Sequence, residues 1–322
     1  MQQAVHHVHS LGAFISLLLK LNGHSQPLLR AFAQFHEESF GGHRACEHLG
    51  FIVGGDDKYY TNLMRACESL ERVEQDHEIL IIDMENRLEI DDPKVKIVDG
   101  AAQHIENEDS RNWFQPHIWK ERYNLYKHVE TDYCIYLDTD CVVINDRVDQ
   151  LIEEAEDNFL VAQHWWVPTL ADYLTNVPVD MSGLQKYLPN DKSQYEYAAS
   201  GAFLFQKEKH DKLFERYSDI FLDIFQDGGI HSGVTDELIL CLALNETGGY
   251  KFTNGAFNHC AAADQQDMKL VDGVWYGKNP QEEDYEKVFA FHSACENVAS
   301  LFNHSPGFIE EIKKVMYWED YQ

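Results

Sequence analysis

The chain has 322 residues, 44% of them hydrophobic, which is enough to build the core of one large α/β domain or two small ones and argues against disorder. Its 26 lysines and arginines are outnumbered by 55 aspartates and glutamates, and the formal net charge is −29. This acidity argues against binding to nucleic acid or to an anionic membrane, because both need basic patches.

Residues 1–48 differ from the rest of the chain, because they are rich in histidine and carry apolar residues at helical spacing before the pair Gly41-Gly42. We interpret them as a helical accessory segment.

The apolar run Leu11–Leu21 is interrupted by Lys20 and is too short to span a bilayer, and no clear signal peptide is present. The seven cysteines show no C-x-x-C spacing, which favours a reducing compartment. We therefore expect a soluble, cytoplasmic protein without a transmembrane segment.

From Gly50 onward the sequence alternates between strand-like and helix-like segments. Strands are predicted at 50–53, 79–83, 95–98, 132–137, 159–163 and 197–205, with shorter ones near 250–260, 270–276 and 288–292. Helices are predicted after Asp57, near 117–129, at 147–156, 208–225 and 235–245, and after Pro306. The segment between an aromatic loop at 164–168 and residue 194 shows no regular pattern. The alternation predicts an α/β fold with a mixed, mainly parallel sheet flanked by helices, in which ligands bind beyond the carboxyl ends of the strands.

The predicted strand at 132–137 is followed at once by Asp138-Thr139-Asp140. If the backbone stays extended, both carboxylates lie on the same side, because strand side chains alternate. Two adjacent carboxylates repel each other unless a cation lies between them, and oxygen ligands suit Mg²⁺ or Mn²⁺. We therefore predict that Asp138 and Asp140 hold a divalent ion. The alternative is an acidic turn after a core strand. Three more acids end predicted strands at the same edge of the sheet: Asp56, Asp57 and Asp83.

Two further segments combine a functional and a structural interpretation. Arg122 lies within the apolar arc of the predicted helix 117–129, and a buried guanidinium must be paired. Its partner is either a structural carboxylate or a diphosphate, which arginine binds with two hydrogen bonds. Ser200 and Gly201 precede an apolar strand, and such small residues allow a ligand to approach the backbone closely. Tight strand packing is the structural alternative.

Two other polar motifs lie late in the chain. Asp236 and Glu237 open a predicted helix that Thr235 can cap, and acids in a first helical turn often only complement the helix dipole. In a transferase, however, a carboxylate must face the reacting carbon as base, nucleophile or charge stabiliser. His292 ends the predicted strand 288–292. It is either a hydrogen-bonded core histidine or a late metal ligand.

The order of these elements over residues 50–295 resembles the GT-A glycosyltransferases, which transfer a sugar from a nucleotide-sugar. The Asp-Tyr strand before the D-x-D, the Ser-Gly-Ala-Phe segment and Asp236-Glu237 are similar to the retaining family 6 enzymes. That likeness implies that Glu237 lies beneath the anomeric carbon and that Arg122 contacts the donor. The opening acidic loop and the late histidine are similar to the glycogenin-like family 8 enzymes. That second likeness implies that Asp56 or Asp57 holds the nucleoside and that His292 ligates the metal.

The resemblance implies one GT-A domain at 49–322, with a donor half at about 49–145 and an acceptor half at about 146–322. The donor is expected to be UDP-linked, the cofactor Mn²⁺ or Mg²⁺, and the acceptor a glycan or another hydroxyl compound, with retention of configuration. The expected site residues are Asp236 and Glu237 for catalysis, Asp138, Asp140 and His292 for the metal, Asp56, Asp57, Tyr59, Arg122, Asp138, Ser200 and Gly201 for the donor, and His164, Trp165, Trp166 and Tyr197 for the acceptor.

Two other functions compete with this interpretation. A nucleotidyltransferase that makes sugar nucleotides normally opens with a basic, glycine-rich loop, whereas the opening loop here, Gly54-Gly55-Asp56-Asp57, is acidic and poorly suited to a triphosphate. A non-catalytic module that binds carbohydrate or a cation is the other alternative.

Overall fold

The computed structural model describes residues 48–54, 57–73, 77–100, 122, 125–181, 183–225, 234–261, 265–292 and 306–316. The predicted accessory segment 1–48 therefore lies outside the described residues apart from its last position, and so does Asp56. Within the described ranges, no helix is both long enough and apolar enough to cross a membrane. The cysteines of these ranges are buried and carry free thiols: Cys67, Cys134, Cys141, Cys241 and Cys260.

The strands are, in chain order, β1 (His48–Val53), β2 (Glu78–Asp83), β3 (Val95–Asp99), β4 (Tyr133–Leu137), β5 (Cys141–Val143), β6 (Phe159–Gln163), β7 (Ala198–Gln206), β8 (Tyr250–Thr253), β9 (Asn258–Cys260), β10 (Met268–Val271), β11 (Val274–Gly277), β12 (Glu286–Lys287) and β13 (Ala290–His292). The helices are α1 (Asp57–Arg72), α2 (Val148–Ala155), α3 (Leu170–Asn176), α4 (Asp211–Phe225), α5 (Asp236–Thr247) and α6 (Pro306–Met316). Arg122 and residues 125–128 are also helical, within the helix predicted at 117–129.

The central sheet has seven strands in the order β3-β2-β1-β4-β7-β6-β8. Strand β1 pairs in parallel with β2 and β4, and β3 and β8 also join their neighbours in parallel. Only β7 runs antiparallel to its neighbours β4 and β6. The predicted α/β fold with a mixed, mainly parallel sheet is therefore confirmed. The carboxyl ends of β1, β2 and β4 lie at one edge of this sheet.

Helices cover both faces of the sheet, because side chains along each strand point alternately to the two faces. Phe51 of β1 belongs to one core with Leu63 of α1 and Leu151 of α2. The next residue, Ile52, belongs to the other core, which α4 and α5 close with side chains such as Phe214. The apolar face of α1 that the sequence predicts is buried in the first of these cores, through Tyr60, Leu63, Cys67 and Leu70.

Asp83 ends β2 at the predicted ligand-binding edge, but its carboxylate is used inside the protein. The side chain is fully buried and accepts hydrogen bonds from the Tyr60 hydroxyl at 2.7 Å and from the backbone N–H groups of Glu85, Arg87 and Leu88 at 3.2, 2.6 and 2.7 Å. These bonds fix the turn after β2 and fasten α1 to the sheet. Asp83 thus lies at the carboxyl end of β2, as predicted, but its oxygens are occupied by structural donors.

Helix α3 lies in the segment for which the sequence shows no regular pattern. It begins with a capping box, in which the Thr169 hydroxyl accepts the N–H of Asp172 at 3.1 Å and the Asp172 carboxylate accepts the N–H of Thr169 at 3.2 Å. Leu170 and Tyr173 are its buried residues. A helix of seven residues shows barely two turns of apolar periodicity, and its cap is the stronger signal.

A small sheet of three short strands, in the order β5-β13-β9, completes the predicted ligand-binding edge. Strand β13 runs antiparallel to β5 and places His292 opposite Cys141. It runs parallel to β9 on its other side and places His292 opposite Cys260. This pairing carries a residue from late in the chain to the turn that follows β4.

Candidate active site

Asp138 and Asp140 are brought together by a turn and not by an extended strand. The N–H of Asp138 donates to the carbonyl of Gly201 at 2.8 Å, which continues the pairing of β4 with β7 by one residue. The N–H of Cys141 donates to the carbonyl of Asp138 at 2.9 Å and closes a turn over residues 138–141. The argument from strand alternation is therefore wrong. The backbone forms the acidic turn of the alternative interpretation, and both carboxylates of this turn meet a third polar side chain.

That third side chain is His292 at the end of β13. Its Nε2 lies 3.3 Å from Asp140 Oδ1 and 3.7 Å from Asp138 Oδ2. Gly201 faces the ring so closely that a Cβ atom built at Gly201 would lie less than 3.0 Å from it. The close approach predicted at Gly201 is thus made by the imidazole of His292. The structure places the three residues predicted as metal ligands side by side.

Electrostatic coupling among these groups is strong. Burial raises the pKa of Asp138 to about 6, against the opposing effects of Arg122 and His292. Burial also disfavours ionised Asp140, but the charge and hydrogen bond of His292 outweigh it and hold the pKa of Asp140 below its usual range. Burial lowers the pKa of His292, whereas Asp140 and Asp138 raise it more, and the pKa reaches about 9. A proton therefore competes with any metal ion for the Nε2 atom of His292.

The donor set of this cluster fits a divalent ion. One ligand atom from each of Asp140, Cys141 and His292 lies within 4.8 Å of the others, and Asp138 Oδ2 lies 3.7 Å from His292 Nε2. Cys141 is fully buried, its thiol donates to the carbonyl of Gly201 at 3.4 Å, and burial raises its pKa well above the usual range. The thiol form is a poor ligand, because metals bind the thiolate. Two carboxylates and an imidazole remain, a set suited to Mn²⁺ and, in its oxygen ligands, to Mg²⁺.

Arg122 links the D-x-D turn to helix α5. Its Nη2 lies 2.5 Å from Asp236 Oδ2 and 3.4 Å from Asp138 Oδ1, and the guanidinium sits 4.8 Å from the centre of the Tyr136 ring. The side chain is buried, and Asp236 holds its pKa well above the usual range against the effect of burial. The predicted core-facing position is present, and of the two alternative partners the structure shows a carboxylate, that of Asp236. Its Nε and Nη1 have no hydrogen-bond partner among the described residues.

Asp236 and Glu237 form the first turn of α5, which the Thr235 hydroxyl caps by accepting the N–H of Leu238 at 3.1 Å. Asp236 accepts a hydrogen bond from the hydroxyl of Ser200 at 3.1 Å, and Glu237 accepts one from the Ser200 N–H at 3.2 Å. Burial and the neighbouring charge of Asp236 raise the pKa of Glu237 to about 7. A carboxylate that serves only the helix dipole is normally solvated, whereas Glu237 is largely removed from water. It is placed to act as a base, nucleophile or charge stabiliser.

An aromatic loop lies beside Glu237. His164 Nε2 is 3.8 Å from Glu237 Oε2, and the His164 ring centre is 5.9 Å from that of Trp166. Trp166 is 58% exposed and stacks on Trp165 with 4.2 Å between ring centres, while Trp165 packs against an apolar cluster under the small sheet. An exposed indole supported from behind by a second indole offers a flat apolar surface next to the acidic pair.

Tyr197 differs from the other residues predicted for the acceptor. Its side chain is 0% exposed, and its ring stacks on Tyr173 with 4.5 Å between centres and an angle of 11°. The hydroxyl lies 3.5 Å from the hydroxyl of Thr235, the cap of α5. The prediction that Tyr197 stacks on a sugar is therefore corrected, because no face of its ring is free. It supports the site from below.

The residues predicted to hold the nucleoside lie at the start of α1. Asp57 is 92% exposed at its side chain and forms an ion pair of 2.5 Å with Arg87. Tyr59 is partly buried against the core, and Lys58 lies 4.8 Å from the centre of its ring. Both side chains are accessible at the same edge of the sheet as the D-x-D turn.

Two polar contacts at the site come from residues that the sequence interpretation did not single out. The Tyr136 hydroxyl donates to Asp138 Oδ1 at 2.5 Å, and burial raises the pKa of Tyr136 well above its usual range. The positive charge of Lys58 acts on Asp140 and favours its ionised form. Tyr136 has the pattern of a core strand residue, so only its place two residues before Asp138 hints at a role. Lys58 directly follows the acidic loop Asp56-Asp57, which is the one available signal.

A scan against protein-family models and a sequence search of curated proteins give no match. Among solved structures, a crystal structure of an active-site mutant of LgtC aligns with a TM-score of 0.52 and 16% identity, covering 83% of this chain and 94% of the other. A crystal structure of the galactosyltransferase LgtC in complex with donor and acceptor sugar analogues aligns with a TM-score of 0.52 and 18% identity, covering 84% and 95%. Likeness at this identity concerns the fold, and it confirms the GT-A fold.

Proposed function

We propose that this chain is a metal-dependent glycosyltransferase that moves a sugar from a UDP-linked donor to a hydroxyl acceptor with retention of configuration. One observation carries the proposal: at the edge of a GT-A sheet, the carboxylates of Asp138 and Asp140 both approach Nε2 of His292, and Arg122 links this cluster to Asp236 of a second acidic pair. A structural ion pair needs no such convergence of two carboxylates and an imidazole beside two further carboxylates. The structures with the same fold include a galactosyltransferase complexed with donor and acceptor sugar analogues.

The metal end of the proposed site consists of Asp138, Asp140 and His292. When bound there, Mn²⁺ or Mg²⁺ would act as a Lewis acid on the departing diphosphate. Asp140 and His292 would hold the ion, and Asp138 beside them would contact the ion or the donor. The hydrogen bond from Tyr136 to Asp138 Oδ1 leaves Oδ2 turned toward His292. The protein thereby orients the ligand oxygen before the ion arrives.

The sugar end of the proposed site is built around Arg122 and α5. The Nε and Nη1 groups of Arg122 are buried and have no hydrogen-bond partner among the described residues, so donor oxygens would reach them only after neighbouring side chains shift, while Nη2 is held by Asp236. Ser200 fixes both acids of the first turn of α5 through its hydroxyl and its N–H. Glu237 then faces the anomeric carbon and stabilises the positive charge that develops as the bond from that carbon to the diphosphate oxygen breaks. The acceptor oxygen forms its new bond to the same carbon, and its proton passes to an oxygen of the departing diphosphate.

Two further groups of residues in the proposed site would bind the nucleoside of the donor and the acceptor. Asp57 and Tyr59 form the place for the uridine, at the carboxyl end of β1, where α/β sheets bind nucleotides, and Asp56, which lies outside the described residues, is proposed to join them. Trp165 and Trp166 provide the surface for the acceptor, with the exposed indole of Trp166 available to stack against a saccharide.

A donor panel tests the proposal. The purified chain is mixed with UDP-glucose, UDP-galactose, UDP-xylose and the two UDP-N-acetylhexosamines, with Mn²⁺ or with EDTA, and release of UDP is measured with and without simple sugars as acceptors. We expect UDP release from at least one donor with Mn²⁺ and none with EDTA. Release of pyrophosphate from a sugar phosphate and UTP would instead identify a nucleotidyltransferase. Metal-independent binding of UDP-sugars without any turnover would identify a non-catalytic binding module.

A further inference from the structure

His164 occupies a specific position between Glu237 and the exposed indole of Trp166. Its Nδ1 accepts hydrogen bonds from the backbone N–H groups of Trp166 at 3.2 Å and Val167 at 3.4 Å. Its Nε2 points at Glu237, 3.8 Å from Oε2. One nitrogen of this ring therefore ties down the aromatic loop, and the other faces the acidic pair.

These contacts determine where the ring carries its proton. A neutral imidazole has one N–H group and one lone pair, and the lone pair must lie on the nitrogen that accepts hydrogen bonds. Because Nδ1 accepts from two backbone N–H groups, the proton lies on Nε2. Burial, with the charge of His292, lowers the pKa of His164 to about 4, so the ring is neutral at ordinary pH. His164 therefore presents a neutral N–H donor to Glu237.

The carboxylate of Glu237 has an open position for this donor. Its Oε1 accepts the N–H of Ser200 at 3.2 Å, and its Oε2 is the oxygen that faces His164. The distance of 3.8 Å between His164 Nε2 and Glu237 Oε2 is too long for a hydrogen bond. The two atoms would have to approach each other by somewhat less than 1 Å to form one. Contacts of this kind in the ligand-free state of enzymes shorten when substrate binds.

We propose that His164 is a positioning residue for Glu237, donating its Nε2–H to the carboxylate when a donor sugar is bound. This rests on the proposed function and gives His164 a role other than direct acceptor binding. The hydrogen bond stabilises the ionised form of Glu237 and fixes the direction of its oxygens. Since Nδ1 of the same ring holds the Trp166 backbone, the position of the acceptor surface and that of the carboxylate are set by one side chain.

The other charged and titratable groups around Glu237 define the background for this effect. Asp236, on the same helix, raises the pKa of Glu237, and His292 from β13 and Arg122 lower it. Two buried tyrosines that face the acidic pair, Tyr173 and Tyr197, have raised pKa values and stay protonated. None of these groups changes when His164 is replaced. Loss of the Nε2–H donor therefore raises the pKa of Glu237 further, and the ionised form appears at higher pH.

Two substitutions separate the functions of the two ring nitrogens. The amide oxygen of His164→Asn can take the place of Nδ1 and accept the loop N–H groups, but this side chain cannot reach Glu237. The amide nitrogen of His164→Gln can take the place of Nε2 and donate to Glu237. We expect the Asn variant to release UDP about 10- to 100-fold more slowly than wild type at pH 6, the effect of one hydrogen bond to a charged group. Its acidic limb in the plot of rate against pH should move up by about one unit. The Gln variant should keep the wild-type limb.

Equal losses in both variants with an unmoved acidic limb would overturn the proposal, since they would indicate a role confined to the loop. Wild-type behaviour of both variants would also overturn it. A measurement that needs no turnover accompanies these rates, namely long-range ¹H–¹⁵N correlation spectra of the histidine rings, assigned with the His164→Asn variant. The neutral Nε2–H form at pH 6 supports the proposal, and a protonated ring or the Nδ1–H form overturns it. Absence of UDP release by the wild-type chain with every donor would refute the proposed glycosyltransferase while leaving this spectroscopic result intact.

Discussion

Arg122 and Asp236 form a buried ion pair with 2.5 Å between Nη2 and Oδ2, and the same Nη2 lies 3.4 Å from Asp138 Oδ1. One guanidinium thus connects the turn after β4 with the first turn of α5. These two elements carry, respectively, the proposed metal ligands and the proposed charge stabiliser. Their separation depends on a side chain from a third element.

Arg122→Ala should therefore lower both stability and activity. Removing one partner of a buried ion pair leaves the other uncompensated, and we expect a loss of about 3 kcal/mol in the free energy of unfolding. Urea denaturation measures it. Arg122→Lys keeps the charge but has no planar fork to contact two carboxylates. The lysine variant should recover part of the stability and little of the UDP release. Full activity in the lysine variant would show that geometry at Arg122 is unimportant.

Asp140→Asn should abolish the metal response without unfolding the chain. The neutral amide is a weaker ligand for a hard cation. UDP release should therefore fall roughly 100-fold or more, which exceeds the usual loss when a residue that only orients a metal ligand is replaced. We expect Mn²⁺ to raise the melting temperature of the wild-type chain and to have no such effect on the variant. Asp219→Asn, the same change at an exposed position of α4, is the matched control and should respond to Mn²⁺ like wild type. A normal Mn²⁺ shift in Asp140→Asn would remove Asp140 from the metal site.

Gly201→Ala should weaken metal binding although Gly201 offers no side chain. A Cβ atom at this position would lie less than 3.0 Å from the His292 ring, so the ring must move away from Asp138 and Asp140. We expect Mn²⁺ to bind about 10- to 100-fold more weakly, as when a group that orients a ligand is lost. Isothermal titration calorimetry gives the affinity. Gly307→Ala, where a Cβ atom meets nothing within 4 Å, is the control and should bind Mn²⁺ normally.

Glu237→Gln should stabilise the fold at alkaline pH while removing activity. Burial raises the pKa of Glu237 to about 7 from an ordinary value of 4.5, so between these values the folded chain holds a proton that the unfolded chain has lost. The contribution of Glu237 to stability is thus complete below pH 4.5 and is lost as pH rises through 7. At pH 8 the neutral glutamine should be more stable by on the order of 3 kcal/mol, and at pH 4.5 by much less.

Urea denaturation at pH 4.5, 6 and 8 measures this difference. The exposed Glu215 on α4 gives the control substitution, Glu215→Gln, for which no comparable divergence with pH is expected. A Glu237→Gln variant whose stability follows that of wild type in parallel over this range would mean that the carboxyl group is solvated. That result would refute the proposal that Glu237 is a buried carboxylate that stabilises positive charge.

The sequence predicts the sheet and its helices well, because β1, β2, β4 and β7 are apolar runs bounded by polar or glycine-rich turns. It also predicts Arg122, since a charge within an apolar helical arc has to be buried and paired. Helix α3 is missed because seven residues show too little periodicity. An element is therefore predicted when it is long enough to show its characteristic spacing of apolar residues, and it is missed when it is short.

The candidate site is less predictable, because its contacts are made between distant segments. The two acids of the D-x-D were expected together for the wrong reason, since a turn and not a strand joins them. Asp83 and Asp138 both lie at the ends of apolar strands. Only the tertiary structure shows that the carboxylate of Asp83 already accepts hydrogen bonds from the Tyr60 hydroxyl and from backbone N–H groups. Tyr197 could not be assigned from the sequence either, because its aromatic ring can stack on a sugar or on another ring, and in the structure it stacks on Tyr173.

The pairing of β13 with β5 has a consequence for when the proposed metal site is complete. Asp140 leaves the ribosome long before His292, and the two meet only when β13 has docked beside β5. A chain that has formed only the central sheet therefore possesses the two acids but not the imidazole. If the proposed metal site is correct, tight binding of the ion requires the finished fold, and loading of the ion would mark the end of assembly.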